Sequence, residues 1–406
     1  MSHSGEFELI GRIAASVSVP QGVTGIGDDC AVIPQNSGLD TLVTTDLLIE
    51  GRHFLLEDVT PFELGWKSAA VNISDIAAMG GRPTGAFLSI ALPNRLVDKW
   101  IDEFIGGFNE LCGKFGVALL GGDTSASDDK LFINVTVLGE CPHGQAVMRS
   151  GARPGDLICV TGFLGDSAGG LKLVLDRSSL GQQAPPATSI LAAAPLRLSN
   201  AGEASATPLR CGHGSPQQAP SPAEILVRRH YMPVPRVELG RQLAALPGVH
   251  AMMDISDGIA SDLRHILEAS STRSDADWAR SRFNPDTLPG NMHSTPLYGT
   301  SPCKVPTSKL DLAQMPMDGN QVCVLSAEID LKSLPLSEEL SAVCAERGWD
   351  AAELAVSGGE DYELLFTAEP GTELPEGCTV IGRIVPGDSG IRWLGSDKDY
   401  KGFTHF

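Results

Sequence analysis

Aspartates in this chain sit where apolar runs break off. They occur in short polar or glycine-rich punctuations: Gly27-Asp28-Asp29, Thr44-Thr45-Asp46, Asn72-Ile73-Ser74-Asp75, Gly121-Gly122-Asp123, Gly165-Asp166-Ser167, Asp254-Ile255-Ser256-Asp257-Gly258 and Gly358-Gly359-Glu360-Asp361. Asp46 and Asp254 each interrupt an apolar run, and a charge there is costly unless it is paired or metal-bound. Whatever this chain folds into must give those carboxylates partners.

The runs between the punctuations define the class. TLVTTDLLIE (41–50), GAFLSIALP (85–93) and KLFINVTVLGE (130–140) read as strands. Thr60-Pro61-Phe62-Glu63 is a capping box with Pro at the first helical position. The helix it opens is expected to reach Ala78 or Met79, stopped by Gly80-Gly81. A second helix places Val97, Trp100, Ile101, Phe104, Phe108, Leu111, Cys112 and Phe115 on one face. The pattern restarts near residue 145 with DLICVTG, GDSAGGLKLVLD, AMMDISDG, YELLFTAE and TVIGRIV. Two α/β (α+β) domains are expected, residues 1–145 and 146–406. A stretch at about 178–222, with seven prolines among Gln, Ala, Ser and Gly, and one at 271–318, mixing Ser, Asn, Pro and Arg, read as surface insertions, mobile or partly disordered.

Taken singly, most of the aspartates have ordinary explanations. A helix cap covers Asp166 and Asp257, and turn chemistry covers Asp28, Asp123 and Asp361. Asp75 lies inside a helix, where Asp has poor propensity, and calls for a partner. Together with Thr and Ser hydroxyls, the set suits hard divalent cations, and Mg²⁺ is the usual choice when phosphates are co-ligands. No His pair at helical spacing suggests zinc, and the spacing in Asp254–Gly258 is wrong for a calcium loop.

Charge points the same way. The 406 residues hold 50 acidic and 30 basic side chains, a formal net charge of −20. That disfavours nucleic acid bound through a basic face, and equally an anionic membrane surface. No apolar run approaches the roughly 20 residues that span a bilayer. MSHSGEFELIGRI lacks the basic start and apolar block of a signal peptide, and nine cysteines with no CxxC pair suit a reducing cytoplasm.

Nucleotide motifs are few. GxxxxGK[ST], a strand–turn–helix GxGxxG and the kinase HRD…DFG set are absent. Gly121-Gly122-Asp123-Thr124-Ser125 offers backbone N–H groups to a phosphate, and Arg149 is a candidate phosphate or base contact. No protein nucleophile or triad stands out. A phosphate acceptor needs neither, because its oxygen is already anionic; what it needs is relief of repulsion between two polyanions.

GEFELI, GIGDDCAV, TTDLLIEGRHF, WKSAAVNISDIAAMGG, LLGGDTS, RSGARPGD, VTGFLGDSAGG, MDISDGIASDL, SGGEDYELLF and KGFTHF follow one another from residue 5 to the end of the sequence. In that order they resemble the thiamine-monophosphate kinase family, of the aminoimidazole ribonucleotide synthetase and selenophosphate synthetase superfamily. The resemblance implies a two-domain fold whose N-terminal sheet pairs across a homodimer. It implies ATP-dependent phosphorylation of thiamine monophosphate to thiamine diphosphate by direct in-line transfer, with several Mg²⁺ ions. Carried over residue by residue, the metal ligands are Asp29, Thr44, Thr45, Asp46, Asp75, Asp123, Asp254 and Asp257. Gly122, Asp123, Arg149 and Ser256 contact ATP, and His53, Glu360 and Phe403 contact thiamine monophosphate. Glu360 suits either the cationic thiazolium or the aminopyrimidine. Phe403 stands where a Trp or Tyr is expected; it keeps ring stacking and loses the polar handle. The rivals are another ATP-using member of the superfamily, a metal-dependent phosphohydrolase, which the aspartates alone would permit, and a protein that binds nucleotide without turning it over.

Overall fold

The structure is a computed structural model that describes residues 20–403, except 36, 180–219, 272–323 and 388–389, together with Ile10 and Ala14. Most of the expected insertions at 178–222 and 271–318, and most of GEFELI, therefore lie outside the described residues.

The first half runs β1 (Ala31–Pro34), β2 (Leu39–Ile49), α1 (Pro61–Ala78), β3 (Arg82–Pro93), α2 (Asp98–Phe115), β4 (Ala118–Ser127) and β5 (Phe132–Pro142). The strands form one sheet in the order β1-β2-β5-β3-β4, with β4 parallel to β3 and the other pairs antiparallel. Strand alternation buries Ile133, Val135 and Val137 of β5 under α1. The opposite face leaves Leu47 and Phe87 exposed, and edge strand β4 is exposed over almost its whole length.

Helix α1 starts as its sequence demands. Thr60 and Glu63 form the reciprocal capping box and Pro61 opens the first turn. It ends at Ala78, where Gly80 adopts φ 71°. It is buried nearly all round, as expected of a helix packed between layers. Two glycines let α1 and α2 touch backbone to backbone: a Cβ on Gly65 would lie 1.9 Å from Phe104 O, and one on Gly107 would lie 1.8 Å from Phe62 O. On α2, Phe104, Phe108, Leu111 and Cys112 are buried as the periodicity predicts. Val97 departs from it: it precedes the first turn and is 65% exposed.

One further expectation changes. The glycine-rich stretch around Asp123, read as a turn, is strand β4. Its glycines serve close approach: a Cβ on Gly122 would meet Leu88 O at 1.7 Å. Asp46 lies within β2, as a carboxylate interrupting the 41–50 run should.

The second half runs β6 (Leu157–Thr161), α3 (Asp166–Ser179), α4 (Pro222–Tyr231), α5 (Val237–Ala244), β7 (Val249–Asp254), α6 (Ile259–Ser271), β8 (Leu325–Asp330), α7 (Glu338–Arg347), α8 (Ala351–Ser357), β9 (Leu364–Ala368), β10 (Cys378–Pro386) and β11 (Ile391–Leu394). Its sheet has the order β11-β8-β10-β6-β9-β7 and is antiparallel except for β11 on β8. One face, with Cys159, Met252, Leu364 and Phe366, shares a core with α3, α4, α7 and the first half. The other, with Ile158, Val160, Met253 and Leu365, packs on α6 and α8.

The halves are joined through α1. Trp66 Nε1 donates to Pro233 O at 2.7 Å, and a Cβ on Gly240 of α5 would meet Ala77 O at 2.1 Å. Leu325 N, entering β8, donates to Ser271 Oγ at the end of α6 at 3.0 Å.

Candidate active site

Four segments converge on the helix-covered face of the first sheet. The loop before β1 brings Asp28 and Asp29, β2 brings Thr44 and Asp46, α1 brings Ser74 and Asp75, and the end of β7 brings Asp254. One carboxylate oxygen each from Asp29, Asp75 and Asp254 lies within 4.8 Å of the others. Hydroxyls steady this set. Thr44 Oγ1 donates to Asp75 Oδ2 at 2.5 Å, and Ser74 Oγ donates to Asp254 Oδ2 at 2.6 Å. Arg149 is the adjacent cation: its Nη2 donates to Asp29 Oδ1 at 2.5 Å, and its backbone N–H donates to Asp28 Oδ1 at 2.7 Å.

The electrostatics are those of acids packed too tightly for their charge. Burial, then the charge of Asp29, pushes the Asp46 carboxyl up to about 6 and that of Asp254 up to about 7. Asp75 is raised well above the carboxylate range by burial, then by Asp46 and Asp254, although the Thr44 hydrogen bond opposes this. The cost of burial acts against the Arg149 charge, but Asp29 and the neighbouring acids more than restore it.

Asp29 Oδ2 is buried and has no hydrogen-bond partner among the described residues. A buried carboxylate oxygen left bare beside two other carboxylates offers the all-oxygen donor set a hard divalent cation takes. The residues therefore fit Mg²⁺. Asp29, Asp75 and Asp254 would hold it, with Asp46 and Thr44 beside them.

Other sequence candidates are placed differently. Thr45 alternates to the opposite face of β2, where its hydroxyl donates to Val135 O at 3.2 Å and accepts from Asn134 and Thr136. Only its backbone shares the acid face. Asp123 is level with Ser89 on β4, and β5 and β3 stand between it and β2. Three strand spacings of about 4.8 Å put it roughly 14 Å from Asp46, so Asp123 and Gly122 do not join the cluster.

Asp257 and Ser256 lie in the loop that enters α6. The Asp257 N–H donates to buried Asp262 at 3.3 Å, and Asp257 O accepts from Phe403 N at 3.0 Å. The C-terminal stretch thus lies along this loop, with the Phe403 side chain 49% exposed.

Glu360 adopts φ 63° and Tyr362 φ 51°, both unusual for residues other than glycine. Backbone bonds to the Asp254–Asp257 loop hold that shape: Glu360 N donates to Ser256 O at 2.8 Å and Tyr362 N to Ile255 O at 3.0 Å. Burial pushes the Glu360 carboxyl up, but Lys67 first, then His230 and His53, bring it below the usual range. His53 is therefore within electrostatic reach of Glu360. It accepts from Ile49 N at Nδ1, 2.9 Å away.

Sequence reasoning missed Lys67, Tyr362 and Asp361. Lys67 is fully buried on α1 and 2.9 Å from Glu360 Oε1. Tyr362 is raised well above the phenol range by burial, then by the charges of Glu360, Asp46, Asp254 and Asp75. Asp361, read as turn chemistry, caps α3 from afar by accepting from Gly165 N at 2.6 Å and Ser167 N at 3.0 Å. Asp166, read as that cap, instead accepts from Ser337 and Arg229, each at 2.5 Å.

Residues 27–141 match the family model described as AIR synthase related protein, N-terminal domain, so this half is an AIR-synthase-type domain carrying an acidic cluster. Over the whole chain the similarity is narrower. A thiamine-monophosphate kinase of Escherichia coli (strain K12) is 31% identical across 99% of this chain and 98% of its own. The Bacillus subtilis (strain 168) thiamine-monophosphate kinase is 36% identical across 65% of this chain and 70% of its own. A solved structure described as AaThiL complexed with AMPPCP and TMP superposes with a TM-score of 0.70 at 29% identity, covering 99% of this chain and 97% of that one. The chain belongs to the thiamine-monophosphate kinase family.

Proposed function

We propose that this chain transfers the γ-phosphoryl group of ATP directly to thiamine monophosphate. A phosphate oxygen of the monophosphate attacks the γ-phosphorus in line, the bond to the β–γ bridging oxygen breaks, and ADP and thiamine diphosphate leave. The observation that carries this is the triad of Asp29, Asp75 and Asp254 with its bare Asp29 oxygen. It suits a reaction whose difficulty is polyanion repulsion rather than nucleophile activation. Several Mg²⁺ ions, when bound, would neutralise phosphate charge and shield the acceptor from the donor.

The chain's own residues do the rest. Asp29 anchors Arg149, leaving the rest of the guanidinium for the nucleotide. Thr44 and Ser74 fix the outer oxygens of Asp75 and Asp254. Glu360, His53 and the C-terminal Phe403 form the side facing thiamine monophosphate. No carboxylate need act as a general base, since the acceptor oxygen is already ionised.

We further propose domains of residues 1–145 and 146–406, and a homodimer built through the open face and exposed edge of the first sheet. Leu47, Phe87, Leu119 and Leu120 are exposed there, which favours a second copy as the occupant. The distance of Asp123 from its own cluster then acquires a purpose: Asp123, with Gly122, would serve the site of the other copy. The six free cysteines of the described residues, five of them buried, support a reducing cytoplasmic setting.

The test is a product assay with ATP, Mg²⁺ and thiamine monophosphate, reading thiamine diphosphate by fluorescence after oxidation. Thiamine diphosphate formed only with the monophosphate and Mg²⁺ is expected. Phosphate release without thiamine diphosphate would move the reading to a phosphohydrolase.

A further inference from the structure

Glu360 is a carboxylate with one side already spoken for. Its Oε1 is 2.9 Å from Lys67 Nζ, an ion pair without good hydrogen-bond alignment, and the Lys67 side chain is 1% exposed. Its Oε2 is 3.6 Å from His230 Nδ1, beyond a hydrogen bond. That nitrogen pairs instead with Ser167 Oγ at 2.9 Å. Burial, then the Lys67 charge, lowers His230 to about 3, so its ring is neutral near pH 7. The backbone is equally fixed, since a Cβ on Gly359 would lie 2.2 Å from Ser256 O. The side chain keeps 27% of its surface.

A carboxylate beside a buried, immobile ammonium makes a neutral pair. An approaching cation meets both charges, and the attraction largely cancels. A hydrogen bond is short-ranged and directional, and survives. Thiamine monophosphate carries two distinct features: a quaternary thiazolium, which has no N–H, and an aminopyrimidine, which has an amino group.

We propose that Lys67 is a positioning residue that turns Glu360 from a counter-ion into an oriented hydrogen-bond acceptor, so that the pair reads the substrate's amino group and not its thiazolium charge. This rests on the kinase reading above.

The experiment compares three acceptors on the full chain with ATP and Mg²⁺: thiamine monophosphate, oxythiamine monophosphate (amino replaced by oxo) and deazathiamine monophosphate (neutral ring, amino group kept). A site built to hydrogen-bond a group rejects the analogue lacking it strongly. A kcat/KM loss on the order of 100-fold or more is expected for the oxo analogue, against about threefold for the neutral one. The reverse order overturns the inference while leaving the kinase reading intact. No turnover of thiamine monophosphate itself overturns both.

Lys67→Met should shift the preference toward the charged ring, with the neutral analogue losing on the order of tenfold in kcat/KM through KM. Unchanged discrimination removes Lys67 from the role. If the single variant does not fold, Lys67→Met with Glu360→Gln removes both charges and keeps an acceptor. Because that amide can also donate, its preference for the amino over the oxo group should fall at least about tenfold below that of the unmodified chain, and an undiminished preference overturns the inference.

Discussion

The hydroxyl of Ser74, on a helix of the first half, donates to Asp254 Oδ2, at the last strand residue of β7 in the second half, at 2.6 Å. This one contact orders a carboxylate across the junction between the two sheets. It also opposes the upward shift that burial and Asp29 impose on Asp254. Ser74→Ala should cost about 1–2 kcal/mol of stability and raise Asp254 further above about 7. At neutral pH the variant should need more Mg²⁺ for half-maximal rate, with recovery at alkaline pH. Mg²⁺ titrations near pH 7 and pH 8.5 check this; an unchanged Mg²⁺ requirement would remove Ser74 from the site.

The acids also set a pH dependence of stability. Asp46 and Asp254, at about 6 and about 7 against an ordinary 3.8, hold protons in the folded state that the unfolded chain has released. Their contribution is full below the unfolded value and lost as pH rises through the folded ones. His230 and His265, lowered to about 3 and about 4, act in the opposite sense, but their contribution is complete above about 6.5. Metal-free protein should therefore lose melting temperature between about pH 6.5 and 8, and the increment from added Mg²⁺ should grow over the same window. Melts in chelator and in Mg²⁺ test this, and a flat chelator series would contradict it.

Sharing of sites between copies can be read by mixing. Asp46→Asn and Asp123→Asn should each be nearly inactive alone. Co-expressed, half of the dimers carry one intact site if Asp123 acts across the interface, so activity should return to about a quarter of wild type. If Asp123 serves its own chain, every site in the mixture carries a lesion and activity stays low.

The crossing of α1 and α2 is tested by two alanines on one helix. Gly107→Ala would press a methyl carbon within 1.8 Å of Phe62 O and should destabilise by about 3 kcal/mol. Gly113→Ala meets nothing within 4 Å and should be neutral or stabilising by up to about 1 kcal/mol. Urea unfolding separates them.

Legibility followed the range of each interaction. The capping box at Thr60, the stop at Gly80 and the buried stripe of α2 are local and were readable from spacing. Asp46 and Asp254 were readable because a charge in an apolar run demands a partner. Lys67 gave no such signal, since a lysine near the start of a helix looks like any solvated one. Its partner Glu360 is almost 300 residues away, and only the packed structure joins them. Asp361 took the cap expected of Asp166 for the same reason: the cap of α3 comes from the loop before β9, and Asp166 binds Ser337 and Arg229. The glycines of β4 misled because close backbone approach and a turn use the same residue.

The hydrogen bond from Leu325 N to Ser271 Oγ pins together the two ends of the long intervening stretch. It does so at the far end of α6, a helix of 13 residues, about 20 Å from the acidic loop that begins it. The junction at Ser271 and Leu325 is thus held independently of the loop that carries Asp254 and Asp257, so a substitution that breaks it, such as Ser271→Ala, should leave the acids where they are.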